Sequence, residues 1–141
     1  MRKKNLLTKI VVTSFCAVLI SSTTILAASS TLLSYNGEGI RSRPSVSSFN
    51  LSTNTTITLN HNQKLLPQYQ HYSNSAKMTV SLQKKGGLVY NNTGDTLVGY
   101  GDFSSRKTMT KSSGTYRLYF EANEISSTLW PAFDINGTIT K

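Results

Sequence analysis

Apolar and polar residues alternate one by one through Tyr116-Arg117-Leu118-Tyr119-Phe120-Glu121-Ala122, and a period of two marks a strand buried on one face. The same period runs through Ala76, Met78, Val80 and Leu82, with polar Lys77, Thr79, Ser81 and Gln83 between them. It also spans residues 49–59, where Phe49, Leu51, Thr53, Thr55, Ile57 and Leu59 share a face, so one long strand is expected there. Each such segment needs an apolar layer against it, because successive strand side chains point to opposite sides of the sheet. Turns are expected at Lys84-Lys85-Gly86-Gly87, Asn91-Asn92-Thr93-Gly94-Asp95 and Ser112-Ser113-Gly114. Residues 96–103 continue as strand, with Gly99 and Gly101 marking a bulge or a close backbone approach. Phe133, Ile135 and Ile139 mark a last strand, and Pro131 stops any helix before it. Many short strands with Gly/Asn turns and no convincing helix predict an all-β fold, an antiparallel β-sandwich of jelly-roll or immunoglobulin-like size.

The first segment is of another kind. Arg2, Lys3, Lys4 and Lys9 precede an apolar run from Ile10 to Ile20, and small residues follow as far as Ala27 and Ala28. This is the pattern of a secretory signal peptide, expected over residues 1–28 and cleaved after Ala28 or Ala27. Thr13, Ser14, Ser21, Ser22, Thr23 and Thr24 interrupt the run, so a membrane anchor is not expected, nor any span in the mature chain. The chain's single cysteine, Cys16, lies inside this segment, which leaves the mature part without a disulfide or thiolate site. Export without cysteines, behind a Lys-rich leader, points to a secreted, extracellular protein from a Gram-positive bacterium.

Removing 28 residues from 141 leaves 113, enough for one domain with its own core. Residues 29–48 show little periodicity and are expected to form an irregular N-terminal arm, with at most a short strand near Leu32 to Tyr35. Residues 49–141 are expected to form the single sandwich, and residues 61–75, polar and broken by Pro67, a loop within it. The stretch Ser113-Gly114-Thr115-Tyr116-Arg117-Leu118-Tyr119-Phe120 resembles the Gly-Thr-Tyr strand of the bacterial pre-peptidase C-terminal type of exported sandwich module. Residues 49–59 and 78–82 and the turn at 91–95 would be equivalent strands and turn, so the resemblance covers about half of the mature chain. It implies a fold and no activity, because such modules usually accompany an enzyme.

Residues able to do chemistry are sparse. His61 and His71 stand ten apart in the polar stretch with no acid or cysteine between them, so solvated imidazoles are expected and a metal is not. Asp95 and Asp102 lie beside glycines, which turn chemistry explains without calcium. No serine occupies a Gly-x-Ser-x-Gly elbow, and Glu121 more readily pairs with Arg117 than with a second catalytic acid. No enzyme activity, metal or cofactor is expected.

Surface chemistry says more. Taking the leader's four basic residues from fifteen leaves eleven Lys and Arg against six Asp and Glu, a net charge of +5. Such a surplus suits an anionic wall polymer or polysaccharide as partner and also lies within the ordinary solubility range; nucleic acid is not the expected partner. Tyr69, Tyr72, Tyr90, Tyr100, Tyr119 and Trp130 are many rings for one small domain, and exposed rings stack on sugars or anchor proteins. If Lys84 and Lys85 meet Arg106, Lys107 and Lys111 at one end of the sandwich, they form a basic site, with Tyr119 as its exposed ring. The expected function is therefore non-enzymatic binding to anionic or glycan components of the cell envelope or matrix. The alternative is an effector that binds an extracellular protein, such as an inhibitor, immunity factor or toxin-like protein.

Overall fold

The computed structural model describes residues 29–141, so the expected signal peptide over 1–28 lies outside the described residues. The described chain forms nine strands: β1 (Thr31–Ile40), β2 (Ser42–Pro44), β3 (Phe49–Leu51), β4 (Thr55–Leu65), β5 (Lys77–Gly86), β6 (Val89–Tyr100), β7 (Phe103–Lys111), β8 (Gly114–Ala122) and β9 (Phe133–Thr140). The first sheet has the order β1-β9-β4-β7. In the second, β8 lies between β5 and the short strands β2 and β3, and β6 closes the far edge.

The antiparallel pairs β1–β9, β2 and β3 with β8, β4–β7 and β5–β6 are nested, one inside the next. Such nesting is one long hairpin with the β5–β6 turn at its tip. Rolling it up sets β9 beside β4 and β8 beside β5, which is the jelly-roll arrangement of the sandwich. Ile57, Leu59, Phe133 and Ile139 of the first sheet meet Met78, Leu118, Phe120 and Tyr116 of the second, each at most 2% exposed. These are the apolar positions of the period-two pattern: burial selects the inward face, and Arg117, Tyr119 and Glu121 of β8 face outward as the alternation requires.

Six expectations need correction. Residues 96–103 are not one strand, because β6 ends at Tyr100 and the chain reverses through Gly101-Asp102 into β7. Lys84 and Lys85 are not turn residues either: they pair with Asn91 and Tyr90 within the β5–β6 ladder, and the reversal falls at Gly87-Leu88. Residues 29–48 are not an irregular arm: Thr31–Ile40 is a full edge strand paired along β9, and Ser42–Pro44 pairs with β8. The sandwich therefore begins at Thr31. Glycines and Asn36 weaken the strand signal of β1, yet its neighbour supplies the ladder, and Leu33 and Ile40 are buried. Residues 49–59 are not one strand, because the chain leaves the second sheet after Leu51 and enters the first at Thr55, crossing through Ser52-Thr53-Asn54. The stretch from His61 is not all loop, since β4 runs on to Leu65 before Pro67 opens a 3-10 turn, Pro67–Tyr72. Finally, residues 91–95 make no reversal. The chain passes straight through in β6, with a register shift between Ser81 and Gln83 on β5, and Gly94 takes φ +85°, a conformation that suits glycine in a bulge.

Candidate functional site

The five basic residues expected to converge are divided by the structure. Along β7, Lys107 and Lys111 alternate inward with Phe103 and Met109, whereas Arg106 points outward beside Asn60 on the exposed face of the first sheet. On β5, Lys84 continues the inward row of Met78, Val80 and Leu82, and Lys85 lies on the other face, opposite Tyr90. Lys84 reaches the end of the sandwich where β7 finishes: its Nζ donates to Ser112 Oγ, next in sequence to Lys111, at 2.8 Å and lies 5.6 Å from the Tyr116 ring centre.

Two of these ammonium groups are taken up by the fold itself. Lys111 forms an ion pair with Asp95 of β6, and Lys107 Nζ donates to the Thr96 carbonyl at 2.7 Å. Both reach from β7, the edge of one sheet, to β6, the edge of the other, and so strap the sandwich shut along that side. Lys107 also occupies a carbonyl that an approaching strand would otherwise use. Burial opposes the charge on Asp95. The bonds from Lys111 and the Thr93 hydroxyl, with the field of Lys107, outweigh it and hold the carboxyl below the usual carboxylate range.

The aromatic residues converge better. On the solvent-facing side of the second sheet, Tyr100 stands opposite Lys77 and Val98 opposite Thr79, and Tyr119 is next to Ser81. Trp130 shares a cleft of about 280 Å³ with Lys77, Thr79 and Glu121. Lys77 and Thr79 therefore lie between the Tyr100 ring on the β6 side and the Trp130 ring on the β8 side. The two residues are 53% and 41% exposed, which leaves part of each available for contact. Tyr119, the ring expected to be most exposed, is half-buried, and its hydroxyl bonds to Ser42 Oγ at 2.8 Å.

Toward the other end of this face the side chains form a fixed network. Arg117 lies over the Tyr90 ring, 4.1 Å from its centre, and its Nε donates to Gln83 Oε1 at 2.8 Å. The Gln83 amide in turn donates to Asn92 Oδ1 at 3.0 Å. Gln83 and Ser81 are buried although they face solvent, because neighbours on both flanking strands cover them. The face thus carries exposed rings at one end and immobilised amide and guanidinium groups at the other. The alternating sequence already showed Tyr119 as outward; Lys77, Tyr100 and Trp130 share a site only through strand register and a loop that no local pattern reveals.

His61 is not solvated but sits in the core, 1% exposed. Gln63 Nε2 donates to the Gly99 and Gly101 carbonyls at 3.0 and 2.9 Å, so Gln63 Oε1 turns toward His61 Nε2, 3.2 Å away. His61 must then carry its proton on Nε2, and Nδ1 accepts from the Tyr35 hydroxyl at 2.7 Å. Burial lowers the His61 pKa and raises that of Tyr35, so both are neutral and act as structural links. His71 lies instead on the 3-10 turn, its ring against Tyr72. Gly137 is required here, since a Cβ would come within 2.3 Å of Tyr35 Oη and 2.2 Å of the Asn60 carbonyl.

No family model matches the chain, and no curated protein matches it. Among solved structures the chain is similar to the naturally occurring empty particles of cowpea mosaic virus (top component), at 13% identity and a TM-score of 0.37. That match covers 60% of this chain and 52% of the viral chain, so the chain spans about half the length of that neighbour.

Proposed function

We propose that this chain is a secreted, non-enzymatic binding protein that contacts glycan components of the cell envelope or the extracellular matrix through the outer face of its second sheet. The observation that supports this most is the pair of exposed rings, Tyr100 and Trp130, flanking Lys77 and Thr79. Ring faces suit the apolar C–H faces of sugars, and the Lys77 ammonium and Thr79 hydroxyl between them suit sugar hydroxyls. An anionic polymer held by one basic patch has less support, because Lys107 and Lys111 are engaged across the sandwich edge. Cosedimentation of the purified protein with isolated wall polysaccharide and with insoluble glycans tests the proposal. Stacking and hydrogen bonding predict retention that survives ~1 M salt, where the Debye length is about 3 Å. Release by salt would return the argument to charge, and no retention at any ionic strength would remove it.

A second reading, a protein-binding effector, is favoured by the β5–β6 turn, where Leu88 is 99% and Val89 59% exposed. Apolar residues at a projecting tip suit insertion into a pocket on another protein. Crosslinking from position 88 on live cells separates the two readings: a discrete protein adduct supports the effector, and heterogeneous glycan-linked products support the envelope binder.

A further inference from the structure

On the side of the sandwich away from the β6–β7 straps, the sheets part between β1 and the β2–β3 segment. The gap is a cleft of about 140 Å³. Tyr35, Phe120 and Ile135 form its apolar floor, and Phe120 and Ile135 are 2% exposed. The Tyr35 hydroxyl is directed at His61, so the cleft meets the ring rather than the polar tip. The Ser45 hydroxyl in the wall is already satisfied: its Oγ donates to the Ser47 carbonyl at 2.7 Å and accepts from Leu118 N–H at 3.1 Å. Arg43 is different. It is the only cation lining the cleft, and among the described residues the one ion pair is Lys111–Asp95, so its charge is uncompensated.

We propose that this cleft is a binding site for a carboxylate carried on a compact apolar group. A guanidinium presents two parallel donors that match a carboxylate, and a single cation balances a single negative charge. A dianion would leave charge unmatched beside an apolar floor. The volume equals that of four to five waters at about 30 Å³ each, which admits one branched or cyclic group and excludes an oligosaccharide. This inference goes beyond the glycan-binding face and does not depend on it, because the two sites share no residue. Two sources supply such chemistry, a free small acid and the C-terminal residue of a peptide.

Titration of the isotope-labelled protein with N-acetylleucine, followed by NMR, is the test. The expected result is saturable shifts centred on Tyr35, Ser45 and Phe120 with a Kd on the order of 1 mM, a value in keeping with so small a ligand. N-acetylleucinamide should bind about tenfold more weakly or worse, and Arg43→Gln should abolish the shifts while Arg43→Lys weakens them. Arg43 is exposed, so these variants are expected to fold. A tripeptide ending in leucine distinguishes the sources: tighter binding than N-acetylleucine identifies a chain terminus, and weaker binding a free acid. Trp130→Ala should leave the titration unchanged, which keeps this result separate from the fate of the glycan reading. Equal binding of acid and amide, tighter binding of inorganic phosphate, or no saturable shifts at about ten times the expected Kd would overturn the proposal.

Discussion

At the scale of single residues, the chain Tyr35–His61–Gln63 ties three polar side chains together inside an apolar core, and its protonation has a calculable consequence. The folded state holds His61 neutral by burial, whereas the unfolded chain titrates it near pH 6.5. Below that pH the unfolded state binds more protons, so stability is full above about pH 6.5 and declines as pH falls through the lowered folded value. The slope for one proton reaches at most about 1.4 kcal/mol per pH unit. Urea unfolding at a series of pH values between 7 and 4 should show this decline, and His61→Gln should remove it even though the variant is less stable overall. A pH profile unchanged by that substitution would place the acid sensitivity elsewhere. Gly137 offers a test that needs no titration. Gly137→Ala forces a methyl against the Asn60 carbonyl and Tyr35 and should cost about 1–3 kcal/mol, the range for overpacking, measured as a lowered urea midpoint.

At the scale of elements, the side-chain straps between β6 and β7 do what a shared ladder would otherwise do. Lys111→Gln and Asp95→Asn should each lower stability by up to about 1 kcal/mol, and the double variant by scarcely more than either, because they remove one interaction. Denaturation of the four proteins measures the coupling; purely additive losses would mean that the pair contributes nothing. Lys111 was expected from the sequence as a binding residue, and the difference shows where sequence patterns stop being informative. The inward rows of β5 and β8 were legible because alternation and burial coincide at Met78, Val80, Leu118 and Phe120. Alternation also assigns Lys84, Lys107 and Lys111 to inward rows, but a lysine reads as surface charge until the opposite edge that receives it is known. β1 was hidden because its glycines and Asn36 weaken a strand signal that pairing with β9 restores. His61 was missed for the converse reason. A polar residue in a buried row looks like a loop unless its partners, Tyr35 and the Gly99 and Gly101 carbonyls reached through Gln63, are visible.

At the scale of the whole molecule, the two sheets present different outer surfaces. The first carries threonine pairs, with Thr56 bonded to Thr110 and Thr58 to Thr108 across β4 and β7, and the charged side chains of Arg106 and Lys64 beside them. The second concentrates the exposed rings, and the proposed glycan contact belongs there because apolar ring faces and fixed polar groups occur together. Rolling one long hairpin creates that face, since Tyr100 and Trp130, thirty positions apart, come to flank the same pair of residues on β5. The most direct measurement is the affinity of Tyr100→Ala, Trp130→Ala and their double variant for the wall glycan that retains the wild type, with thermal unfolding recorded on the same samples. Exposed rings contribute little to the core, so the unfolding temperatures should stay within a few degrees of the wild type. Each single variant should bind about tenfold more weakly or worse, as expected for aromatic residues at the centre of a contact, and the double variant should lose retention. Undiminished binding by the double variant at unchanged stability would contradict the account.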